Sequence, residues 1–397
     1  MDNPPQIHDL MIVFDAVTGG APDVAALKQA ISDIINFVAV ADCFERIGVL
    51  AYRNYTYNPE KVVEWSGWCY PSRDPCRFST DDILYFVKKL EMPAANECKT
   101  NCSSKMALAK AYHVIRSNGT IILLYNDAPP LLEHIGGDHY DLEQKSLVGY
   151  GQAGPHFRNW INVANTFAGM ALDKNAVVLS FSLGCHDKIS DWSPYLYLSF
   201  MTGGELYRTK YTSVSRLTIC LLLTWMQADG NIDIPQALRT TYKANPLLSH
   251  SPTEENMDTF CGLDCGNLQL SNTHTAPRNC FRVPYGAFSN INQQLNKFTS
   301  RDLAKNYIGR SISSKDVIAR HIGRMIKTNV SVLAIHPLFQ RLWVAVCEDQ
   351  TGSRIKRSLK QEFEAEVLRI SDDEDKRQAQ AWLDEADTIS HEFDEET

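Results

Sequence analysis

Short apolar runs alternate with helical periodicity over the first 227 residues, and this rhythm restricts the fold more than any other feature. Asp9 to Phe14 is a continuous apolar run ending in Asp15, the form of a strand buried on both faces. Asp23 to Phe44 then sets Leu27, Ile31, Ile34, Ile35 and Val38 on one side of a helix. Strand character returns at Arg46 to Tyr52, and an edge hairpin is expected around Val62 to Trp65. Helices fit Thr80 to Leu90 and Ser103 to Arg116, followed by a central strand over Thr120 to Tyr125. A helix from Trp160 to Leu172, a strand from Ala176 to Phe181 and a helix near Pro194 to Thr202 come next. A short strand at Glu205 to Arg208 and a buried helix from Val214 to Met226 complete the series. Strands separated by helices of this length pair in parallel, because a parallel neighbour is reached only by a crossover. The expected fold is α/β, a doubly wound and mostly parallel sheet with helices on both faces, Rossmann-like in outline.

From residue 229 the rhythm changes. Residues 229–290 are rich in Pro, Asn, Ser, Thr and Gly and read as an irregular linker. Residues 291–357 read as a mainly helical region, and 358–397 as an acidic tail that can hold short helices over Phe363 to Ile370 and Ala379 to Ile389. The domain to which these are appended spans residues 1–228. Charge follows the same division. The chain has a formal net charge of −8, and from Ser371 to Thr397 eleven acids face two bases. The remaining body is close to neutral, a poor match for the basic surface that displaces counterions from nucleic acid. The start, Met1-Asp2-Asn3-Pro4-Pro5, has no basic n-region, and the longest apolar run, Leu217 to Met226, is half of what a membrane helix needs. With 11 cysteines spread along the chain, reduced thiols in the cytosol or nucleus are the expectation.

Function in an open α/β sheet sits at the carboxyl ends of the strands, and the residues there are distinctive. The first strand runs into Asp15-Ala16-Val17-Thr18-Gly19-Gly20, and the loop before the Ser103 helix reads Lys99-Thr100-Asn101-Cys102. The central strand ends Tyr125-Asn126-Asp127-Ala128-Pro129-Pro130. An Asp loop, a Thr loop and a second Asp loop in this order resemble the von Willebrand factor A-type domain over about residues 7–227. Ile47 to Tyr55 and Asp127 to Pro130 are similar to the subgroup found in alpha-kinase-associated and fungal proteins. That resemblance implies a metal-ion-dependent adhesion site holding Mg²⁺ through oxygen ligands, completed by an Asp or Glu of a protein partner. Asp15 and Asp127 match its two acids, and Thr100 is nearest to its second-loop Thr. The first loop departs from the pattern, since Val17 and Gly19 stand where hydroxyl residues belong; Thr18 restores one oxygen if the loop carries a one-residue insertion. Without metal, Asp15 and Asp127 would accept hydrogen bonds from loop amides. On this reading Asp15, Gly19, Gly20, Thr100, Asn101 and Asp127 form the partner-binding crevice of a degenerate adhesion site.

Three other patterns carry chemistry. Cys261, Cys265, His274 and Cys280 offer four soft ligands within irregular chain, though a spacing looser than Cys-x-x-Cys favours isolated thiols over Zn²⁺. Gly149-Tyr150-Gly151-Gln152-Ala153-Gly154 matches a dinucleotide fingerprint as a string but follows no strand and runs into Pro155. It lies in an insertion, Leu131 to Phe157, that reads as a solvated loop despite its His134, Asp138, His139, Asp141 and His156. Residues 301–327 hold seven bases and two acids on an amphipathic helix, a face that could attract the acidic tail within the molecule. The expectation is a non-enzymatic protein-interaction module. The alternative is a catalytic or regulatory protein acting through its C-terminal region or another cleft.

Overall fold

The computed structural model describes residues 8–17, 21–55, 61–71, 79–91, 103–116, 119–132, 137–183, 192–225, 241–242, 300–349 and 354–395. The apolar runs form strands β1 (His8–Asp15), β2 (Phe44–Tyr52), β4 (Thr120–Asn126) and β5 (Ala176–Ser182). Every residue of β1, β4 and β5 is buried, as unbroken apolar composition requires of strands covered on both faces. Strand β3 (Val63–Cys69) lies antiparallel to β2 at the sheet edge and is only partly covered along most of its length. β6 (Leu206–Arg208) and β7 (Thr241–Tyr242) close the other side. The order among described residues is β3-β2-β1-β4-β5-β6-β7, with β2, β1, β4, β5 and β6 mutually parallel. The fold is α/β, with a sheet wound outward in both directions from the β1–β4 pair.

Alternation along the strands feeds two cores. Leu10, Ile12, Phe14, Ile121, Leu123 and Tyr125 face one side, against α1 (Ala21–Ala41) and α7 (Val214–Trp225). Met11, Val13, Ile122, Leu124 and Val178 face the other, against α3 (Ser104–Val114), α5 (Trp160–Phe167) and α6 (Ser193–Met201). Helix α2 (Thr80–Lys89) begins with a reciprocal capping box between Ser79 and Asp82, which satisfies two otherwise orphan amides. Over Pro22–Ala41, α1 is long and apolar enough to cross a membrane by length and composition. In the fold that apolarity is sandwiched between the sheet and a second layer of helices.

This second layer is α8 (Ser300–Ile308), α9 (Ile312–Leu333), α10 (Gln340–Glu348), α11 (Arg354–Arg369) and α12 (Asp373–Glu395). It shares one continuous core with α1 and α7. Helix α9 runs antiparallel to α1: Arg310 just before α9 pairs with Asp42 just after α1, and along the helices His321 pairs with Asn36 and Thr328 with Asp33. Two expectations are corrected here. The 131–157 insertion is not simply a solvated loop, because it contains α4 (Gly137–Leu147) with Glu143 and Leu147 buried. The acidic end forms two long helices rather than short ones, seated by Leu359, Phe363, Val367, Trp382 and Leu383, all buried. Most of the 229–290 segment lies outside the described residues, and β7 falls within it.

Candidate functional site

The strand order reverses between β1 and β4, which opens a crevice at their carboxyl ends. The register sets Phe14 opposite Tyr125, so Asp15 closes β1 beside the point where β4 runs out into Asp127. Asp15 is buried, and its Oδ1 accepts the Val17 amide at 3.0 Å, turning the chain sharply out of the sheet. The Val17 side chain is itself buried and contributes only its backbone. Asn126 ends β4 with its Oδ1 accepting from the Tyr52 hydroxyl at 2.7 Å, while its carbonyl accepts the Leu183 amide. Asp127 is left half-exposed at the mouth.

The loop carrying Asp127 is pinned further along. The Tyr195 hydroxyl donates to Ser104 Oγ at 3.1 Å and reaches the Ala128 carbonyl at 3.4 Å, tying the start of α3 to the end of β4. The Trp160 indole donates to the Leu131 carbonyl. A third wall comes from the 3-10 turn Tyr211–Ser213 that opens α7, held down by the Tyr125 hydroxyl against Thr218 at 2.8 Å. Tyr211 lies beside Asp127, with Asp15 and Asp23 in electrostatic range. Burial first, then these three carboxylates, push its phenol above the ordinary range and keep it protonated. Three acids from three elements, with a neutral hydroxyl among them, make an acceptor-rich mouth suited to polar recognition.

Of the residues singled out in the sequence, the fold brings Asp15 and Asp127 together. Thr18, Gly19, Gly20, Thr100 and Asn101 lie outside the described residues, as do Cys261, Cys265, His274 and Cys280. Sequence reasoning missed Asp23 and Tyr211. Asp23 carried a signal, an acid in the first turn of a helix, but one that reads equally as favourable dipole chemistry. Tyr211 carried none, because its role depends on a contact with a residue 84 positions earlier. Among the described residues no three His, Cys, Asp or Glu side chains are grouped to hold a metal ion. Asp15 and Asp127 are hard oxygen donors of the right kind, but a Mg²⁺ shell takes about six oxygens. The described residues therefore do not complete that site.

The bases of 301–327 have partners on several elements. Arg310 pairs with Asp42, Lys315 with Asp349, Arg320 and Arg324 with Asp81, and Lys327 with Glu362. From the acidic helix α12, Asp375 pairs with Arg216 and Asp387 with Lys360.

No family model matches the chain. A protein of Acanthamoeba polyphaga mimivirus, named as an ariadne-like RING finger protein, is 26% identical over 233 residues, which are 58% of this chain and 21% of that protein. The chain thus corresponds to about a fifth of that relative's length. Two solved structures show slight likeness. Proximal thread matrix protein 1 of the mussel byssus has a TM-score of 0.29 at 10% identity, covering 53% of this chain and 46% of its own. The pilus adhesin SpaC of Lactobacillus rhamnosus GG has a TM-score of 0.34 at 7% identity, covering 53% and 29%. Likeness of that degree carries neither fold nor function.

Proposed function

We propose that the chain is a protein-interaction module whose partner docks in the strand-end crevice between β1 and β4, in the manner of a degenerate von Willebrand A-type adhesion site. One observation carries the reading: Asp15 and Asp127 stand at the ends of the adjacent strands on either side of the sheet's reversal point, and both, with Asp23, act electrostatically on Tyr211. Mechanistically, the partner supplies hydrogen-bond donors or a cationic group to the acids, and the Tyr211 hydroxyl, kept protonated, donates a hydrogen bond to Asp127 or to an acceptor on the partner. The tethers at Asn126, Ala128 and Leu131 fix the loop in advance, so less ordering entropy is lost on docking. A 233-residue stretch of the chain finds a match, at 26% identity, in about a fifth of a longer protein named for a RING finger, which supports a modular role. Mg²⁺ binding by Asp15 and Asp127 belongs to this proposal only if Thr18 and Thr100 add their oxygens.

Photo-crosslinking tests the proposal. A benzophenone amino acid placed at Ala128 in the full chain should trap a defined protein that the same group at Lys376, on α12, does not. Identical adducts from both positions would contradict it. So would turnover of a phosphate ester or peptide by the pure chain that disappears in Asp127→Asn.

A further inference from the structure

The insertion after β4 holds a polar arrangement that the crevice does not use. Lys105, in the first turn of α3, and Glu143, in the middle of α4, form an ion pair at 3.2 Å with both side chains fully buried. No other ion pair among the described residues is buried to that degree on both sides. Lys105 Nζ also donates to the Arg158 carbonyl at 3.2 Å and lies 4.7 Å from the centre of the Tyr140 ring. The same carbonyl accepts from Gln144 at 3.0 Å and from the Tyr140 hydroxyl at 3.5 Å. Tyr55, leaving β2, stands near Glu143, Ser103 and Ser146 beneath the helix.

Apart from this cluster α4 is weakly attached. Glu143 and Leu147 are its buried side chains; Leu142 is 44% exposed, and Asp138, Asp141 and Lys145 face solvent. A glycine with positive φ opens the helix, Gly137 at φ +47°, and a second, Gly151 at φ +59°, ends the 3-10 turn Val148–Tyr150 that follows it. Neither has a neighbour that a β-carbon would strike, so both answer to backbone conformation and not to packing. An element with little apolar burial, a glycine at its start, another after the turn that follows it, and a buried charge pair as its main anchor opens at low cost as a unit.

We infer that α4 is a hinged strap, latched shut by the Lys105–Glu143 pair, whose opening uncovers Lys105 and Tyr55 at the carboxyl end of the sheet. Removing one member of a buried pair strands the other charge in a dry site, whereas replacing both with apolar side chains leaves no charge to solvate. The latch therefore predicts an asymmetry that ordinary packing does not.

Amide hydrogen exchange on the full-length chain reads it directly. Glu143→Gln should speed exchange across 137–147 by at least about tenfold, with the β4 amides unchanged. The double variant Lys105→Met with Glu143→Leu should restore slow exchange in the strap. Unchanged exchange in Glu143→Gln overturns the inference, as does loss of protection in β4 in step with 137–147. Should Glu143→Gln fail to fold, the natural chain decides. In dilute denaturant the 137–147 amides should open before the core and with little denaturant dependence. Merging with the global transition overturns the latch. This inference stands apart from the docking proposal, since it needs no partner.

Discussion

Two residues show how tightly single side chains are bound to the fold. Gly48 in β2 lies under the ring of Trp65 on the edge strand β3, where an added β-carbon would come within 2.1 Å of the indole. Gly48→Ala should therefore push Trp65 off the strand and cost about 1–3 kcal/mol, read as a lower denaturation midpoint with altered tryptophan fluorescence. Asp33 makes the opposite case. It is buried between α1, α7 and α9, accepting from Gln29 and Thr328, and near Ser215 and Asn329. Burial outweighs these hydrogen bonds and raises its carboxyl to about 6. A raised carboxyl adds stability that is complete below its unfolded value near 3.8 and is lost as pH rises through 6. Asp33→Asn should thus raise the thermal midpoint near pH 7, by up to roughly 3 kcal/mol of stability. A lower midpoint at neutral pH would show that the charged form is held favourably.

At the scale of elements, the contact of α9 with α1 carries a second titration of opposite sign. His321 is buried against Asn36, and burial lowers its imidazole to about 4, with Arg324 and Arg320 adding to that and Asp81 opposing it. A lowered imidazole loses stability as pH falls from 6.5 through 4, while Asp33 gains over nearly the same range. The two slopes oppose each other in the natural chain, and the buried His8, whose imidazole burial also lowers, acts in the same sense as His321. His321→Gln removes its own share, so stability should fall more steeply, or rise less, as pH goes from about 4 to 6. Equilibrium denaturation across that range checks it, and a pH profile unchanged by the substitution would show that His321 does not act as described.

The elements also show what the sequence could disclose. β1, β4 and β5 were legible because fully buried strands must be continuous apolar runs, and α1 because its apolar residues keep helical spacing. Asp15 and Asp127 were legible because both end such runs. Helix α4 was not, since its hold on the fold is a buried ion pair and not an apolar stripe. Helices α11 and α12 read as shorter because their ends are rich in charged residues and carry no apolar spacing. Tyr211 reaches the crevice through packing alone, which no local pattern reports, and the first-turn position of Asp23 reads equally as favourable dipole chemistry.

For the whole molecule, the helical region that follows the α/β sheet shares one hydrophobic core with it. Phe37 of α1 packs edge-to-face on Phe339 at 5.5 Å, and α1, α7, α9 and α10 share one core. A chain cut to residues 1–228 would present the outer face of α1 to water, an apolar patch of the kind that drives association. It should be recovered as aggregate or oligomer by size-exclusion chromatography; a stable monomer would mean that the layer is dispensable. The crevice lies at the β1–β4 reversal, and on the proposed function its exposed acid serves a partner and not stability. Asp127 is half-exposed there, so Asp127→Asn should leave the thermal midpoint within about 0.5 kcal/mol of the natural chain. The most direct measurement compares proteins retained by immobilised natural and Asp127→Asn chains at equal folded amounts, with Lys376→Ala as a surface control. Docking in the crevice predicts a protein retained by the natural and Lys376→Ala chains and lost from Asp127→Asn; equal retention by all three would contradict it.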